Sequence, residues 1–275
     1  MKVRTLLHLF VFILFFPILL VRGSELPPEL ERIKSRGKLV VAMVDQERPP
    51  FFMHDKNGNF VGMDVELAHD IAQKFGVLVE FNRSAKTFDE VIEQIANQKA
   101  DVGISRLSVT PARALRVRFT QVYGTLSQVL LVNRLLLTGR TREQDLILQL
   151  NQKGMKIGVL GNSSYVDFGK RDFPSATIVP YPNIDEMYGD VANGKISVAL
   201  HDDVTISHWL YSNPKATIKV HKIPHKDRID PKALAVSWEN TPLLAWLNTY
   251  LEVAKLDGTL ERLTGKYLKS DDWRK

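Results

Sequence analysis

Two rounds of the same hydrophobic alternation run along this chain. In the first, the β-forming run over residues 39–44 reads as a buried strand. Residues 63–75 set Val65, Leu67, Ala68, Ile71, Ala72 and Phe75 on one helical face, and Gly76 stops the helix. A strand over 77–81 follows. A helix over 87–98 carries Phe88, Val91, Ile92 and Ile95 on one face, and a third strand covers 102–105. A short helix over 26–34, ending near Gly37, precedes this unit. Asn57-Gly58, between Phe51-Phe52-Met53 and Phe60-Val61-Gly62, predicts a hairpin turn. An extended run over 126–133 leaves the unit, and the pattern restarts. Strands at 156–160, 177–180 and 197–200 alternate with helices from Tyr165, over 184–193 and over 204–210. Strands at 219–223 and 234–236 come next, then helices at 241–256 and 260–268 split by Asp257-Gly258. Strand–helix–strand repetition implies mainly parallel sheets flanked by helices. Two such α/β units expose strand C-terminal ends, where ligands bind, and predict a cleft between them.

Composition narrows the setting. Met1-Lys2-Val3-Arg4 leads into a largely apolar stretch over residues 6–20, closed by Val21-Arg22-Gly23-Ser24. A charged start, an apolar centre and small residues at the end describe a secretory signal over residues 1–23. The apolar stretch is shorter than the roughly 20 residues of a bilayer span; a retained anchor is the alternative. The chain has no cysteine, which excludes disulfides, thiolate metal sites, thiol catalysis and a lipid anchor on cysteine. The remaining part, about 250 residues, is long enough for one large domain or two smaller ones. The net charge of +6 counts 37 basic against 31 acidic residues; residues 1–23 hold three basic and no acidic ones, leaving +3. No basic tract with interleaved aromatics occurs, so nucleic acid is not an expected partner.

The most chemically suggestive stretch is Ser105-Arg106-Leu107-Ser108-Val109-Thr110-Pro111-Ala112-Arg113. It reads as a strand end, a hydroxyl-bearing turn and a helix start with an arginine one turn in. Unpaired N–H groups and a guanidinium fork together suit a carboxylate. The plainer reading is an ordinary helix cap with a surface arginine. No histidine, aspartate or glutamate cluster at metal spacing stands out, so neither a metal nor a cofactor is expected.

Several short pieces, taken in order, resemble the family 3 periplasmic solute-binding proteins, the polar amino-acid receptors of ABC transporters. They are Gly37-Lys38-Leu39-Val40-Val41, Pro50-Phe51, Gly62-Met63-Asp64-Val65-Glu66-Leu67-Ala68, Ala100-Asp101-Val102, Ser108-Val109-Thr110-Pro111-Ala112-Arg113, Gly158-Val159-Leu160 and Leu256-Asp257-Gly258-Thr259. The resemblance spans residues 29–268. It implies a type II periplasmic-binding-protein fold: lobe 1 over 24–125 plus 230–275, lobe 2 over 126–229, and hinge closure on a ligand. Residues 115–134 also resemble the sensor module of membrane-bound lytic transglycosylases, without the lysozyme-like domain.

Carried over residue by residue, the resemblance places Arg113 on a ligand α-carboxylate and Asp202 on its α-ammonium, with Asp203 one residue away as the competitor. Ser108 is a ligand contact, Thr110 a contact or a cap. Ser163 and Ser164 match a hydroxyl-bearing turn facing the carboxylate, with Asn162 in place of a glycine. Phe88 matches an aromatic over the ligand side chain, or a core position. Asp45 matches an acid facing distal donors. Arg106 replaces a small residue and Arg48 an aromatic. A long Arg106 fills the pocket, pairs with Asp45 or grips a second carboxylate, and it disfavours lysine and arginine as ligands. The implied function is a monomeric periplasmic receptor that delivers a polar amino acid to an inner-membrane ABC permease and does no chemistry. A sensor of the same fold is the alternative. A dehydratase of cyclic acids would need a general acid or base such as Glu47, Asp45 or His201.

Overall fold

The computed structural model describes residues 26–137 and 143–270. The expected signal segment lies outside them. The first unit runs α1 (Pro28–Arg36), β1 (Lys38–Val44), a small hairpin β2 (Met53–His54) and β3 (Phe60–Val61), α2 (Met63–Phe75), β4 (Leu78–Ala85), α3 (Phe88–Ala96), β5 (Val102–Gly103) and α4 (Pro111–Ala114). A long strand, β6 (Arg118–Asn133), leads to α5 (Glu143–Leu150), β7 (Lys156–Leu160), α6 (Ser164–Asp172), β8 (Thr177–Tyr181), α7 (Ile184–Ala192), β9 (Val198–Asp202) and α8 (Asp203–Ser212). A second long strand, β10 (Val220–Val236), returns to α9 (Thr241–Leu256) and α10 (Thr259–Thr264).

The main sheet has the order β4-β1-β5-β10-β6-β9-β7-β8. β1 is parallel to β4 and β5, and β7 is parallel to β8 and β9. Two three-strand parallel halves are thus joined by β6 and β10, which pair antiparallel from Val220↔Asn133 to Val236↔Arg118. The register slips between Pro224 and Ile229, and Asp227 there has a φ of 59°. The buried apolar residues divide accordingly. One core joins Leu30 through Leu126 with Leu234 through Tyr267; two others, on residues between Val129 and Ile223, cover the faces of the second half.

Local chemistry fixes the helix starts that matter. Thr87, Thr110, Ser163, Asn183 and Asp202 each accept a backbone N–H from the turn they cap. Gly62, at φ 137°, lets the start of α2 lie against the Phe51 carbonyl; a Cβ there would stand 2.3 Å from that oxygen. The Asn57-Gly58 turn closes the β2–β3 hairpin, with Gly58 at φ 79°.

Two expectations from sequence change, and one helix is added. The strands read at 219–223 and 234–236 are the two ends of the single strand β10, because β6 pairs again from Ile229 to Lys232 beyond the register break at 225–228. β6 begins at Arg118, ahead of the apolar run. The helix α5 was not anticipated between the two units.

Candidate functional site

The first wall of the cleft comes from the loop between β5 and α4. Arg106 is buried, with a φ of 43°, and its backbone N–H donates to Asp64 Oδ2 at 2.6 Å. Its guanidinium lies 4.8 Å from the centre of the Phe51 ring and donates through Nη1 to Thr205 Oγ1 at 3.0 Å. Nη2 forms a short ion pair with Asp202. Two residues on, Ser108 faces the cleft. Thr110 is the cap: its hydroxyl accepts the Arg113 N–H at 3.2 Å. Arg113 turns inward and buries all but 7% of its side chain. Its Nε and Nη2 donate to Asp89 Oδ1 at 3.1 and 2.8 Å, and Nη1 reaches the Ser108 carbonyl at 3.3 Å.

The opposite wall belongs to the second half. Asp202 ends β9 and caps α8. It accepts the Thr205 N–H at 2.8 Å and the Thr205 hydroxyl at 3.0 Å. Asp203, the neighbouring acid, instead sits outside in an ion pair with Lys222. His201 stacks on Tyr165, ring centres 4.2 Å apart and 14° from parallel. Ser163 caps α6 and donates to the Leu160 carbonyl at 2.7 Å. Asn162 before it takes a left-handed φ of 49°, a conformation asparagine tolerates. The Ser164 hydroxyl donates to the Ser108 hydroxyl at 2.8 Å, across the two walls.

The floor is β10. Lys232, buried, donates to Asp230 Oδ2 at 2.5 Å and to Ser108 Oγ at 2.9 Å. Tyr165 donates its hydroxyl to the same Asp230 oxygen at 3.0 Å. Sequence reasoning did not single out Lys232, Asp230 or Tyr165. Their signal was the spacing of Asp230 and Lys232, two residues apart and therefore on one strand face.

Charge is balanced pair by pair. Burial alone would raise the Asp202 carboxyl, but the Arg106 guanidinium holds it well below the usual carboxylate range. Burial lowers His201, and among the charges on Asp202 Arg106 acts ahead of it. Burial also pulls the Lys232 ammonium down, against Asp230, which favours its charged form. Asp64, buried beneath Arg106, is raised to about 6 by desolvation despite hydrogen bonds from Tyr123 and Arg106. Arg48 is lowered to about 10, first by burial and then by repulsion from Arg106.

Arg106, Ser108, Arg113, Ser163, Ser164 and Asp202 therefore meet in one cleft. Phe88 joins them, with Arg106, Ser108 and Lys232 around a void of about 10 Å³. Asp45 does not: it stands at the rim, in an ion pair with Lys86 at 2.6 Å, and it does not pair with Arg106. Two larger cavities flank the small void. One, about 350 Å³, lies beside Arg113, Arg116, Ser163 and Ser164. The other, about 370 Å³, lies beside Arg48, Arg106, Thr205 and Trp209.

Two α/β lobes joined by two crossing strands, with a charged cleft between them, define a type II periplasmic binding protein. The chain belongs to the bacterial extracellular solute-binding proteins, family 3, whose family model matches residues 40–270. It is 31% identical over 222 residues to an Escherichia coli protein named "Putative ABC transporter arginine-binding protein 2", covering 80% of this chain and 87% of that one. Among solved structures, it is similar to an ancestral amino acid-binding protein described as a precursor of cyclohexadienyl dehydratase. That match has a TM-score of 0.71 at 28% identity, over 86% of this chain and 98% of the other. A Streptococcus pneumoniae amino-acid ABC transporter substrate-binding protein bound to L-arginine matches with a TM-score of 0.70 at 26% identity, over 86% and 96%.

Proposed function

We propose that this protein captures an amino acid between its lobes (24–125 plus 230–275, and 126–229) and delivers it to an ABC permease. The observation that carries this reading is the pair of opposed, buried charges: Arg113 on one wall and Asp202 on the other. A zwitterion has one carboxylate and one ammonium, and these two residues answer both. Arg113 would take the α-carboxylate, assisted by Ser108, Ser163 and Ser164; Asp202 would take the α-ammonium; Phe88 would cover the side chain. The periplasm is the setting that such relatives imply, and a monomer suffices because both walls come from one chain.

Binding without catalysis is the reading the cleft supports. Of the acids the sequence nominates for proton transfer, Asp45 is tied to Lys86 and Glu47 to His54 at 2.6 Å, both at the rim. Neither converges with His201.

The test is a thermal-shift panel of the purified protein against the common amino acids, with Arg113→Ala beside it. A ligand that binds the folded state raises Tm with concentration. The reading predicts at least one amino acid that shifts the parent protein and not Arg113→Ala. A panel with no shift, or a shift that survives in Arg113→Ala, contradicts it.

A further inference from the structure

The small void adjoins both large cavities. The cavity at Arg113 shares Ser163 and Ser164 with the void, and the void shares Arg106 with the cavity at Arg48. Around these spaces stand Arg113, Lys232, Arg106 and Arg48. The acids facing them are Asp89, Glu93 and Asp167 at the cavity beside Arg113, then Asp230 and Asp202, with Asp64 below Arg106, Asp45 near Arg48, and Glu47 and Asp185 at the exposed rim of the outer cavity.

We propose that the cleft selects an amino acid with a second carboxylate, and that Arg106 is the residue that selects it. The proposal rests on the function proposed above and names the ligand class for that site. It follows from counting ion pairs. When a ligand carboxylate takes Arg113, it releases Asp89, whose side chain is 53% exposed and returns to water. When a ligand ammonium takes Asp202, it displaces Arg106, which is 3% exposed and keeps the Thr205 hydroxyl and the Phe51 ring but loses its ion-pair partner. A neutral side chain leaves that buried guanidinium without a paired carboxylate. A cationic side chain adds a like charge beside Arg106, Lys232 and Arg48. A distal carboxylate on Arg106 restores the count: two pairs, Arg113–Asp89 and Arg106–Asp202, are broken and three are formed.

Geometry agrees with the count. The Arg106 side chain already reaches the outer cavity, and Arg48 shares that lining. Two guanidinium groups turned to one space of about 370 Å³ repel each other and would both gain from an anion placed between them. The acids on that lining do not substitute: Glu47 is held by His54, and Asp185 sits exposed in the first turn of α7. Of the named relatives, one carries arginine-binding in its name and one is bound to L-arginine; this cleft carries the charge pattern for the opposite side-chain sign.

Isothermal titration of the purified protein with L-glutamate, L-aspartate, L-glutamine, L-arginine and succinate tests the proposal, with Arg106→Gly in parallel. Glycine suits the backbone at φ 43°; Arg106→Gln repeats the test if the glycine variant does not fold. The expected result is glutamate or aspartate bound at least about tenfold tighter than glutamine, with arginine weaker still. Removing Arg106 should erase or reverse that preference. Glutamine or arginine bound as tightly as the acidic amino acids overturns the inference and leaves amino-acid binding standing. Succinate bound as tightly as glutamate removes the ammonium from Asp202 and overturns it too. Ligands that bind only the Arg106 variants make Arg106 a plug and not a selector. No amino acid bound by either form overturns both readings.

Discussion

A single oxygen of Asp89 accepts both Nε and Nη2 of Arg113, at 3.1 and 2.8 Å. That carboxylate stands where a ligand carboxylate would be received. Asp89 therefore competes with the ligand, weakly, because it is half exposed and such pairs are worth up to about 1 kcal/mol. Asp89→Asn is expected to tighten binding of a carboxylate ligand by up to about fivefold, read by titration calorimetry. Weaker binding in the variant would mean that Asp89 orients Arg113 for the ligand.

Lys232 and Asp230 are buried together on β10, Nζ to Oδ2 at 2.5 Å. Removing one partner strands the other. Lys232→Met should lower unfolding stability by about 3 kcal/mol. Adding Asp230→Asn should return most of that loss. Urea unfolding of the two single variants and the double variant gives the coupling directly.

Asp64 makes a prediction with a definite sign. Its carboxyl titrates at about 6 in the folded protein against 3.8 as a free group. Between those values the folded state holds the proton more tightly, so this group's contribution to stability falls as pH rises from about 4 to about 6 and then levels. The size is about 3 kcal/mol at most. Asp64→Asn, which keeps an acceptor for the Arg106 N–H, should remove that decline. The stability difference between variant and parent should therefore grow in the variant's favour from pH 4 to pH 6.5, measured by urea unfolding.

Gly62 brings the start of α2 onto the Phe51 carbonyl at a φ of 137°. An alanine there meets backbone, which has no rotamer to yield. Gly62→Ala should lose at least about 3 kcal/mol in unfolding stability. Because Phe51 carries the Arg106 guanidinium on its ring, the same variant should also weaken ligand binding.

The order of strands and helices was legible because most elements bury one face, and burial writes a period into the chain. β10 was not. Between Ile223 and Leu234 it carries His225, Lys226, Asp227, Arg228, Asp230 and Lys232, residues that read as loop. Residues 225–228 bulge out of register, and the strand continues because β6 pairs again from Ile229 to Lys232 and because Asp230 and Lys232 satisfy each other. The site divides in the same way. Arg113, Ser108 and Asp202 stood out through chemistry and family resemblance. Arg106 stood out only as a departure, and its partner could not be read from sequence, because Asp202 is 96 residues away and on the other lobe. Asp45 was a plausible partner by position, but Lys86 reaches it first at the rim.

The central claim is that a solute sits between Arg113 and Asp202. Its most direct test is a crystal structure of the protein grown with the amino acid that raises Tm most. The account predicts the ligand carboxylate on the Arg113 fork, its ammonium on Asp202, and Arg106 moved from Asp202 to the ligand's far end. A ligand bound elsewhere, with Arg113 still on Asp89 and Arg106 still on Asp202, would contradict it.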